Sequence, residues 1–389
     1  MTKSEIYEII KNGENSGVEF KQEEIKPLNL AEEIVSFANF KGGIILLGVK
    51  DDKAIIGIKR DDLEEWVMNI CRDIVKPGII PYYEEIELDE GKVGVIKVDE
   101  GEAKPYYYVE DKNRKKYLIR VGSTNREASR EELARLFQAS GLIHYDMAYV
   151  PKTSIDDLNL EKLKEYFLQI RGIDIDTSKE YLPQLLVNSS LMTKTNTTTF
   201  LTVAGVLLFG KFPQKFMPQA TITAVKFSGI QMDYDTEDRK EIKGTLQEQV
   251  DEAIAFVKRN TKTSSIMKGI QRTDKDEYPT SVIREAVVNA VIHRNYSIAG
   301  SPIRLFIFKD RLELKSPGRL PNTIDLEKIK IGCSYYKNPI LVEFMQHYGY
   351  VEKMGLGIPI KIIKGMLDHN GKMPKFEEIN EEFWVTLYS

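Results

Sequence analysis

The chain has 389 residues, of which 42% are apolar and 29% are charged, as in an ordinary soluble globular protein. At about 150 residues per domain, this length predicts two or three domains. Acidic residues (59) outnumber basic ones (55), which excludes a protein that coats nucleic acid indiscriminately and confines any such contact to a local patch.

The first 146 residues alternate short helices and strands. A helix from about Ser4 to Lys11 ends at Asn12-Gly13, and SGVEFKQE is typical of a strand. After Pro27, LNLAEEIVSFANF places its apolar residues on one helical face, and the run IILLGV that follows predicts a strand. The remaining predicted elements are a helix at 61–74, strands at 82–88 and 94–98, a basic hairpin in RKKYLIRVG and a helix at 130–138. We place the first domain at residues 1–146.

The rest of the chain divides into a connecting region, 147–240, and a C-terminal domain, 241–389. The connecting region contains a charged helix at 159–170, and both LTVAGVLLFG and ATITAVKFSG predict strands. The elements predicted for the C-terminal domain are helices at 246–260, 280–293 and 338–348, strands at 303–308, 312–315 and 383–387, and glycine-bearing loops in SPGRLP and GLGIP. The expected fold class is α+β, with helices and strands mixed in each part.

Compartment follows from what the sequence lacks. Cys71 and Cys333 are too few for a disulfide framework or a cysteine zinc site built from this chain alone. The first twenty residues are charged throughout, and no apolar run approaches the roughly 20 residues that span a bilayer. We therefore expect a soluble cytoplasmic protein without membrane contact.

Carboxylates near the N-terminus form the first candidate site. Glu14 and Glu19 bracket NSGV, Lys21 shares a strand face with Glu19, and Asp51-Asp52 follows the apolar strand. Three carboxylates brought together could bind Mg²⁺ or Mn²⁺ beside a lysine that steadies a phosphate, which metal-assisted phosphodiester cleavage requires. The alternative, which stays open, is an ion pair between Glu19 and Lys21 and a simple turn at Asp51-Asp52.

A basic run forms the second candidate site. Between Lys112 and Arg130, seven residues are basic and one is acidic, whereas the stretch Glu84 to Glu102 has eight acidic and two basic residues. The basic residues are Lys112, Arg114, Lys115, Lys116, Arg120, Arg126 and Arg130. Together with the tyrosines at 106–108 and 117, they could contact phosphates while the rings stack on bases. A solvated hairpin that faces the acidic stretch is the alternative.

A third candidate site lies in REAVVNAVIHRNY. Glu285 and Asn289 are four residues apart on a predicted helix, so both side chains leave the same face. A glutamate can orient or deprotonate a water molecule, and an asparagine oxygen can bind Mg²⁺ beside a triphosphate. The glycines of the two loops, Gly318, Gly355 and Gly357, allow close approach of the backbone to a nucleotide. No GxxxxGK[ST] phosphate loop occurs, so a conventional helicase motor is not expected.

Both ends of the chain resemble known families. ENSGVEFKQE, EEIVSFANFKGGIILLGVKDD and YLIRVGSTNREAS resemble the Schlafen-type Alba-like domain, described as DNA-binding, over roughly residues 1–140. YPTSVIREAVVNAVIHRNYSIAGSPIRLFIFKDRLELKSPGRLP and KNPILVEFMQHYGYVEKMGLGIPI resemble the divergent histidine-kinase-type (Bergerat) ATPase domain of proteins described as RecG-like or as transcriptional regulators. LTVAGVLLFGKFPQ is similar to the region that connects these two domains.

The C-terminal resemblance implies an ATP site. In it, Glu285 activates water, Asn289 binds Mg²⁺, and the glycines at 318, 355 and 357 line the nucleotide. Where that superfamily usually has an aspartate that binds the adenine amino group, this chain has Ser316, whose hydroxyl can also accept a hydrogen bond. The N-terminal resemblance includes a nuclease branch with two glutamates and an aspartate, and Glu14, Glu19 and Asp51 (or Asp52) occupy the matching positions.

The leading hypothesis is a cytoplasmic regulatory protein that binds nucleic acid through its N-terminal domain, at Lys21 and the basic run, and binds ATP and Mg²⁺ through its C-terminal domain. The nucleotide state would control the binding of DNA or RNA. One alternative is a Mg²⁺- or Mn²⁺-dependent nuclease that uses Glu14, Glu19 and Asp51. Another is a scaffold whose nucleotide site is degenerate. The choice between DNA and RNA, ATP hydrolysis and self-association into a homo-oligomer are left open.

Overall fold

The computed structural model describes residues 1–110, 114–141, 143–175, 181–195, 198–268, 271–320, 324–333, 335–351 and 355–389. The chain forms two compact units, Met1–Ile143 and His144–Ser389. Both contain helices and sheets, so the predicted mixture of α and β structure is confirmed. Within the described residues, no helix is long and apolar enough to cross a membrane.

Among its described residues, the first unit contains four α-helices and nine short strands. The helices are α1 (Lys3–Asn12), α2 (Pro27–Asn39), α3 (Leu63–Asp73) and α4 (Arg130–Ala139). The strands are β1 (Val18–Lys21), β2 (Gly43–Leu47), β3 (Val75–Lys76), β4 (Tyr82–Glu87), β5 (Lys92–Val98), β6 (Tyr107–Val109), β7 (Lys115–Lys116), β8 (Leu118–Val121) and β9 (Thr124–Glu127).

The four-stranded sheet of this unit has the order β1-β2-β5-β4, with β1 and β2 parallel. Because side chains alternate along a strand, Phe20 and Leu46 pack with Ile6 of α1, whereas Ile45 packs with the α2 side. Glu19 precedes Phe20 on β1, so its side chain points to the opposite face of the sheet, toward α2. Gly42, with a φ of +78°, makes the turn into β2, and a Cβ there would lie 2.5 Å from a backbone oxygen of β5.

The second unit contains nine α-helices and ten strands among its described residues. The helices are α5 (Leu160–Arg171), α6 (Leu182–Asn188), α7 (Val203–Phe209), α8 (Pro213–Phe216), α9 (Leu246–Asn260), α10 (Thr280–Ile292), α11 (Leu326–Lys330), α12 (Pro339–His347) and α13 (Gly365–Asn370), with a π-helix at Gly357–Lys364. The strands are β10 (Met192–Lys194), β11 (Thr199–Leu201), β12 (Ile222–Phe227), β13 (Thr236–Ile242), β14 (Thr263–Lys268), β15 (Gln271–Asp276), β16 (Ile303–Ile307), β17 (Arg311–Pro317), β18 (Lys375–Ile379) and β19 (Glu382–Tyr388).

A six-stranded sheet organises this unit, with the order β13-β12-β16-β17-β19-β18. β12 and β16 are parallel, and the other neighbours are antiparallel. α9 and α10 contact the sheet and each other, and their apolar residues belong to one core with Ile222, Leu305 and Leu314. α10 is buried on nearly all sides, which explains its mostly apolar sequence and makes the buried Glu285 on it conspicuous.

The structure corrects one predicted element. The run LTVAGVLLFG was predicted to be a strand, but Val203–Phe209 forms α7, and the Thr202 hydroxyl accepts a hydrogen bond from the backbone N–H of Gly205 at 3.0 Å. All seven residues of the helix are buried. A short segment that is apolar on every side has no periodicity that separates helix from strand. The capping threonine was the local signal for a helix.

The unit boundaries bear on the predicted domains. The first compact unit ends at Ile143, three residues before the predicted end of the first domain. The second predicted boundary, at residue 240, falls inside β13 (Thr236–Ile242), which pairs with β12. The regions 147–240 and 241–389 therefore share one sheet and one apolar core.

Candidate functional site

One cavity in the second unit contains every residue that the sequence predicted for the nucleotide site. These residues are Glu285, Asn289, Ser316, Gly318, Gly355 and Gly357. The cavity contains about 1120 Å³ of empty space, counting the part that is open to solvent. These residues lie on α10, at the end of β17 and in the loop after it, and at the start of the π-helix and in the loop before it. The fold thus brings them to one place.

Helix α10 positions the two polar residues of the cavity. Glu285 and Asn289 lie one turn apart, and the Asn289 amide donates a hydrogen bond to Oε1 of Glu285 at 3.2 Å. The other carboxylate oxygen of Glu285 lies 3.5 Å from Nζ of Lys361, on the π-helix. The carboxylate is buried, so these two contacts hold it in a fixed orientation at the cavity wall.

Two glycines bring the backbone close to these groups. A Cβ at Gly357 would overlap the carboxylate of Glu285, so only glycine allows the π-helix to begin this close to α10. Gly318 follows β17 with a φ of +112°, and a Cβ there would lie 2.6 Å from Cβ of Asn295. Gly355 also has a positive φ, of +65°. These glycines were predicted to line the site because glycine allows close approach of the backbone to a ligand.

Ser316 is buried at the end of β17. Its hydroxyl donates a hydrogen bond to the carbonyl oxygen of Ala290, on α10, at 2.8 Å. Because the hydroxyl proton is directed to Ala290, the lone pairs of the oxygen remain for a donor such as an exocyclic amino group.

Several cavity residues were not identified from the sequence. The apolar wall includes Leu314, Ile329, Ile362, Phe376, Phe383 and Val385, which belong to three strands, a helix and the π-helix. Apolar residues at strand and helix spacing are indistinguishable from ordinary core residues, so no sequence signal separates them. His293 and Lys337 also line the cavity. Both lie in segments that carry the family resemblance, and that was the only signal available for them.

Burial changes the ionisation of these two residues. It lowers the pKa of Lys337 to about 8, although the negative charges of Glu378 and Glu381 oppose the shift. Burial, together with the positive charge of Lys337, lowers the pKa of His293 to about 4. At neutral pH, Lys337 is therefore largely protonated and His293 is neutral.

The cavity fits a nucleotide in chemical terms. It combines an extensive apolar wall with a few polar groups, and the Tyr335 hydroxyl in its lining is buried without a hydrogen-bond partner among the described residues. The carboxylate of Glu285 and the amide of Asn289 supply oxygen atoms of the type that Mg²⁺ prefers. The described part of the chain contains no group of three or more His, Cys, Asp or Glu residues that could hold a metal ion by itself.

The N-terminal carboxylates are placed differently. Both oxygens of the buried Glu19 contact cations: one is 2.5 Å from an Arg120 guanidinium nitrogen, and the other pairs with Lys21. Glu14 accepts a hydrogen bond from the backbone N–H of Phe20 at 2.8 Å, and its charge acts on Lys21. Asp51 is exposed in the turn that follows β2. The structure thus brings Glu14, Glu19 and Lys21 together, but shows no contact that adds Asp51 to them.

Arg120 lies inside the first unit, although it was predicted to contact nucleic acid. Its side chain is 1% exposed and contacts Glu33 at 3.2 Å as well as Glu19, while Asn125 bridges to both Arg120 and Glu33. Burial and the charge of Glu19 raise the pKa of Glu33. Burial opposes protonation of Lys21, but its hydrogen bond to Glu19 and the neighbouring carboxylates raise its pKa overall. We call Glu19, Lys21, Glu33 and Arg120 the buried ion cluster.

The other residues of the basic run that the structure describes are exposed, except for Lys116, which is half-buried. Arg114, Lys115, Lys116 and Arg126 form what we call the basic surface, on β7, β9 and the residue that precedes β7, and Arg130 is exposed at the start of α4. Lys112 lies outside the described residues. Arg114 and Lys116 make single ion pairs with Glu127 and Glu110, at 3.5 and 3.3 Å.

Two members of the basic surface have closer partners. Arg126 makes two hydrogen bonds to Glu132, at 2.7 and 2.8 Å, and these bonds lower the pKa of Glu132 to about 2. Nζ of Lys115 lies 4.8 Å above the ring of Tyr107, which packs against Tyr117 with ring centroids 5.2 Å apart. Of the four tyrosines considered for base stacking, Tyr106 and Tyr108 are buried, so the Tyr107–Tyr117 pair is the one beside the cations.

Comparison with known proteins identifies both ends of the chain. Residues 14–129 match the family model "Schlafen, AlbA_2", and residues 300–387 match "Putative ATP-dependent DNA helicase recG C-terminal". The chain therefore carries a Schlafen AlbA_2 domain at its N-terminal end and a RecG-related, ATPase-like domain at its C-terminal end, and the resemblance seen in the sequence is confirmed. The second match begins after α10, so Glu285 and Asn289 lie outside it.

Two solved structures resemble the chain. The DIP2311 protein from Corynebacterium diphtheriae is 22% identical, with 99% of this chain and 80% of that chain covered and a TM-score of 0.49. The N-terminal domain of the "Putative ATP-dependent DNA Helicase RecG-related Protein" from Nitrosomonas europaea is 19% identical, with 33% of this chain and 94% of that one covered and a TM-score of 0.26. Both TM-scores are below 0.5. No curated protein matches the chain.

Proposed function

We propose that this protein binds ATP in the cavity of its C-terminal unit and binds nucleic acid through its N-terminal domain, and that the nucleotide controls the nucleic-acid affinity. The observation that carries the ATP assignment is the convergence of all six predicted residues on one cavity. The apolar wall provides a surface for a base, and the glycine loops provide close backbone approach.

The residues of the cavity have distinct roles in this proposal. Asn289 would hold the Mg²⁺ that accompanies ATP, and a bound Mg²⁺ neutralises phosphate charge. Glu285 is the residue that can orient a water molecule, since it is fixed by Asn289 and Lys361. Ser316 offers its lone pairs to the amino group of adenine.

Calorimetric titration with Mg-ATP tests the nucleotide assignment. We expect wild-type protein to bind and Gly357→Ala to lose binding, because the added Cβ displaces the Glu285 carboxylate. Gly300→Ala is the matched control, since a Cβ at Gly300 meets nothing within 4 Å, and it should bind as wild type does. If the wild-type protein does not bind Mg-ATP, the nucleotide assignment is rejected and the scaffold hypothesis remains.

In this proposal, the N-terminal domain binds nucleic acid through the basic surface. Arg114, Lys115 and Arg126 are exposed and Lys116 is half-buried, which leaves their charges available for phosphates. Tyr107 and Tyr117 lie beside Lys115. Metal-dependent cleavage by Glu14, Glu19 and Asp51 stays a prediction and is not part of the proposal, because both oxygens of Glu19 are held by cations of the buried ion cluster. Product formation from labelled RNA or DNA with Mn²⁺, lost in Glu19→Ala, would reinstate it.

A further inference from the structure

Lys337 occupies a specific position in the cavity wall. It lies between α11 and α12, and its amine donates a hydrogen bond to the carbonyl oxygen of Arg319, in the first glycine loop. An ideal Cβ built on Gly318 would lie 3.3 Å from Nζ of Lys337. The amine is therefore held against the loop at its glycine, inside the cavity that also contains Glu285 and Asn289.

The other cations near the cavity have carboxylate partners. Arg319 pairs with Glu381 at 2.5 Å, and Lys361 pairs with Glu285 at 3.5 Å. Lys337 forms no ion pair with a carboxylate in the part of the chain that the structure describes, and its hydrogen bond is to a neutral carbonyl. Glu378 and Glu381 affect it only as charges at longer range. Lys337 is half-buried. Removing an ammonium group from water without a nearby counter-ion is costly, and an anionic ligand would offset that cost.

The surroundings of Lys337 favour an anion over other ligands. Its neighbour His293 is neutral at physiological pH and does not compete for the ligand's negative charge. Lys337 itself remains largely protonated near pH 7, because its lowered pKa is still about 8. Most of the remaining wall is apolar, which strengthens an electrostatic contact by excluding water.

We propose that Lys337 binds the phosphate groups of the nucleotide, so that the cavity selects nucleoside polyphosphates over nucleosides. This inference rests on the proposed ATP binding and adds the residue that distinguishes ATP from adenosine. The chain has no phosphate loop of the GxxxxGK[ST] type, and Lys337 supplies from a different element the positive charge that such a loop would provide. The purely structural alternative is that Lys337 only ties the loop at Arg319.

The test compares ATP with adenosine by calorimetric titration of the full chain. In Lys337→Met, we expect ATP affinity to fall by about 10- to 100-fold, the usual effect of losing a charge-assisted hydrogen bond. Adenosine affinity should change less than about 2-fold, and Lys337→Arg should keep most of the preference for ATP. Lys328→Met, a change at an exposed lysine on α11, is the matched control and should leave both affinities unchanged.

The outcomes separate this inference from the function on which it rests. If wild-type protein binds neither ATP nor adenosine, the proposed ATP site is rejected, and the role of Lys337 with it. If wild-type protein binds ATP but Lys337→Met keeps the same ratio of ATP to adenosine affinity, the role of Lys337 alone is rejected. A parallel loss of both affinities in Lys337→Met and Lys337→Arg would indicate the structural alternative.

Discussion

Charged side chains of the basic run differ in role according to whether they are buried or exposed. Arg120 belongs by sequence to the basic run, yet it lies in the interior between Glu19 and Glu33. The strand parity was an available signal: Arg120 is two residues after Leu118, and both are buried, whereas Val121 is exposed. The local charge of the run concealed this alternation, because a count of charges does not distinguish the two faces of a strand.

The buried ion cluster should contribute strongly to stability. We expect Arg120→Met to lower the free energy of unfolding by about 3–5 kcal/mol, since it leaves Glu19 and Glu33 buried without the guanidinium. Arg126→Met is the matched control, because Arg126 makes a comparable two-bond contact with Glu132 at the surface. An exposed pair is worth about 0–1 kcal/mol.

Urea unfolding of the N-terminal domain within the full chain measures both changes. Equal losses in the two variants would contradict the inference that burial makes the Arg120 contacts stronger. Nucleic-acid affinity provides a second readout, because Arg126→Met should weaken it and Arg120→Met should not, provided that the variant remains folded.

At the scale of secondary-structure elements, the sequence predicts some polar residues of the cavity, but neither His293 and Lys337 nor the apolar wall. Glu285 and Asn289 were identifiable because helical spacing puts them on one face, and Gly357 because a close approach needs glycine. Phe376 and Phe383 come to the cavity only through the pairing of β18 and β19 at the edge of the sheet. This strand pairing is a long-range contact of the tertiary structure. The local sequence of the two strands does not differ from that of any other apolar strand.

Helix α7 shows the same limit for a buried segment. Its seven residues are enclosed by the core, so neither an exposed face nor a polar stripe marks their periodicity. Helices with one exposed face were easier to predict: the helices predicted at 159–170 and 246–260 correspond to α5 (Leu160–Arg171) and α9 (Leu246–Asn260). An exposed face therefore helped to predict α5 and α9, whereas the longer α10 was predicted although it is buried on nearly all sides.

The basic surface should respond to salt as a group of four phosphate contacts. For duplex DNA, the logarithm of the binding constant should fall with the logarithm of salt concentration with a slope of about −3 to −4. The double substitution Lys115→Glu with Lys116→Glu should weaken binding and reduce this slope by about 2, because two contacts are lost. Fluorescence anisotropy at several salt concentrations measures the slope.

A matched control for this surface is available on another part of the same unit. Lys92 and Lys97, on β5, pair with Glu85 and Asp99 in the acidic stretch. Substituting both lysines by glutamate should therefore leave the salt slope unchanged. If reversal of Lys115 and Lys116 changed neither the affinity nor the slope, the basic surface would not be the binding site.

At the scale of the whole molecule, the proposal requires communication between two units that each have their own core. We expect Mg-ATP to change nucleic-acid affinity by at least about 5-fold, the lower range of measured couplings. Reciprocity requires nucleic acid to change ATP affinity by the same factor. Anisotropy with and without Mg-ATP, repeated with Lys337→Met, measures the coupling, and equal affinities in both conditions would reject control by the nucleotide while leaving the two binding activities intact.

The continuous sheet of the second unit has a consequence for dissection of the protein. A fragment that starts at residue 241 would lack β12 and most of β13, so β16 would become an edge strand with its backbone N–H and C=O groups unpaired. The same cut would remove Ile222 and Ala224 from the core on which α9 rests, and would uncover Phe306 on the opposite face. Such a fragment is expected to aggregate, whereas one that starts at His144 keeps the sheet whole. The ATPase-like domain is thus larger than the stretch of sequence that identifies it, and studies of nucleotide binding in isolation should include the connecting region.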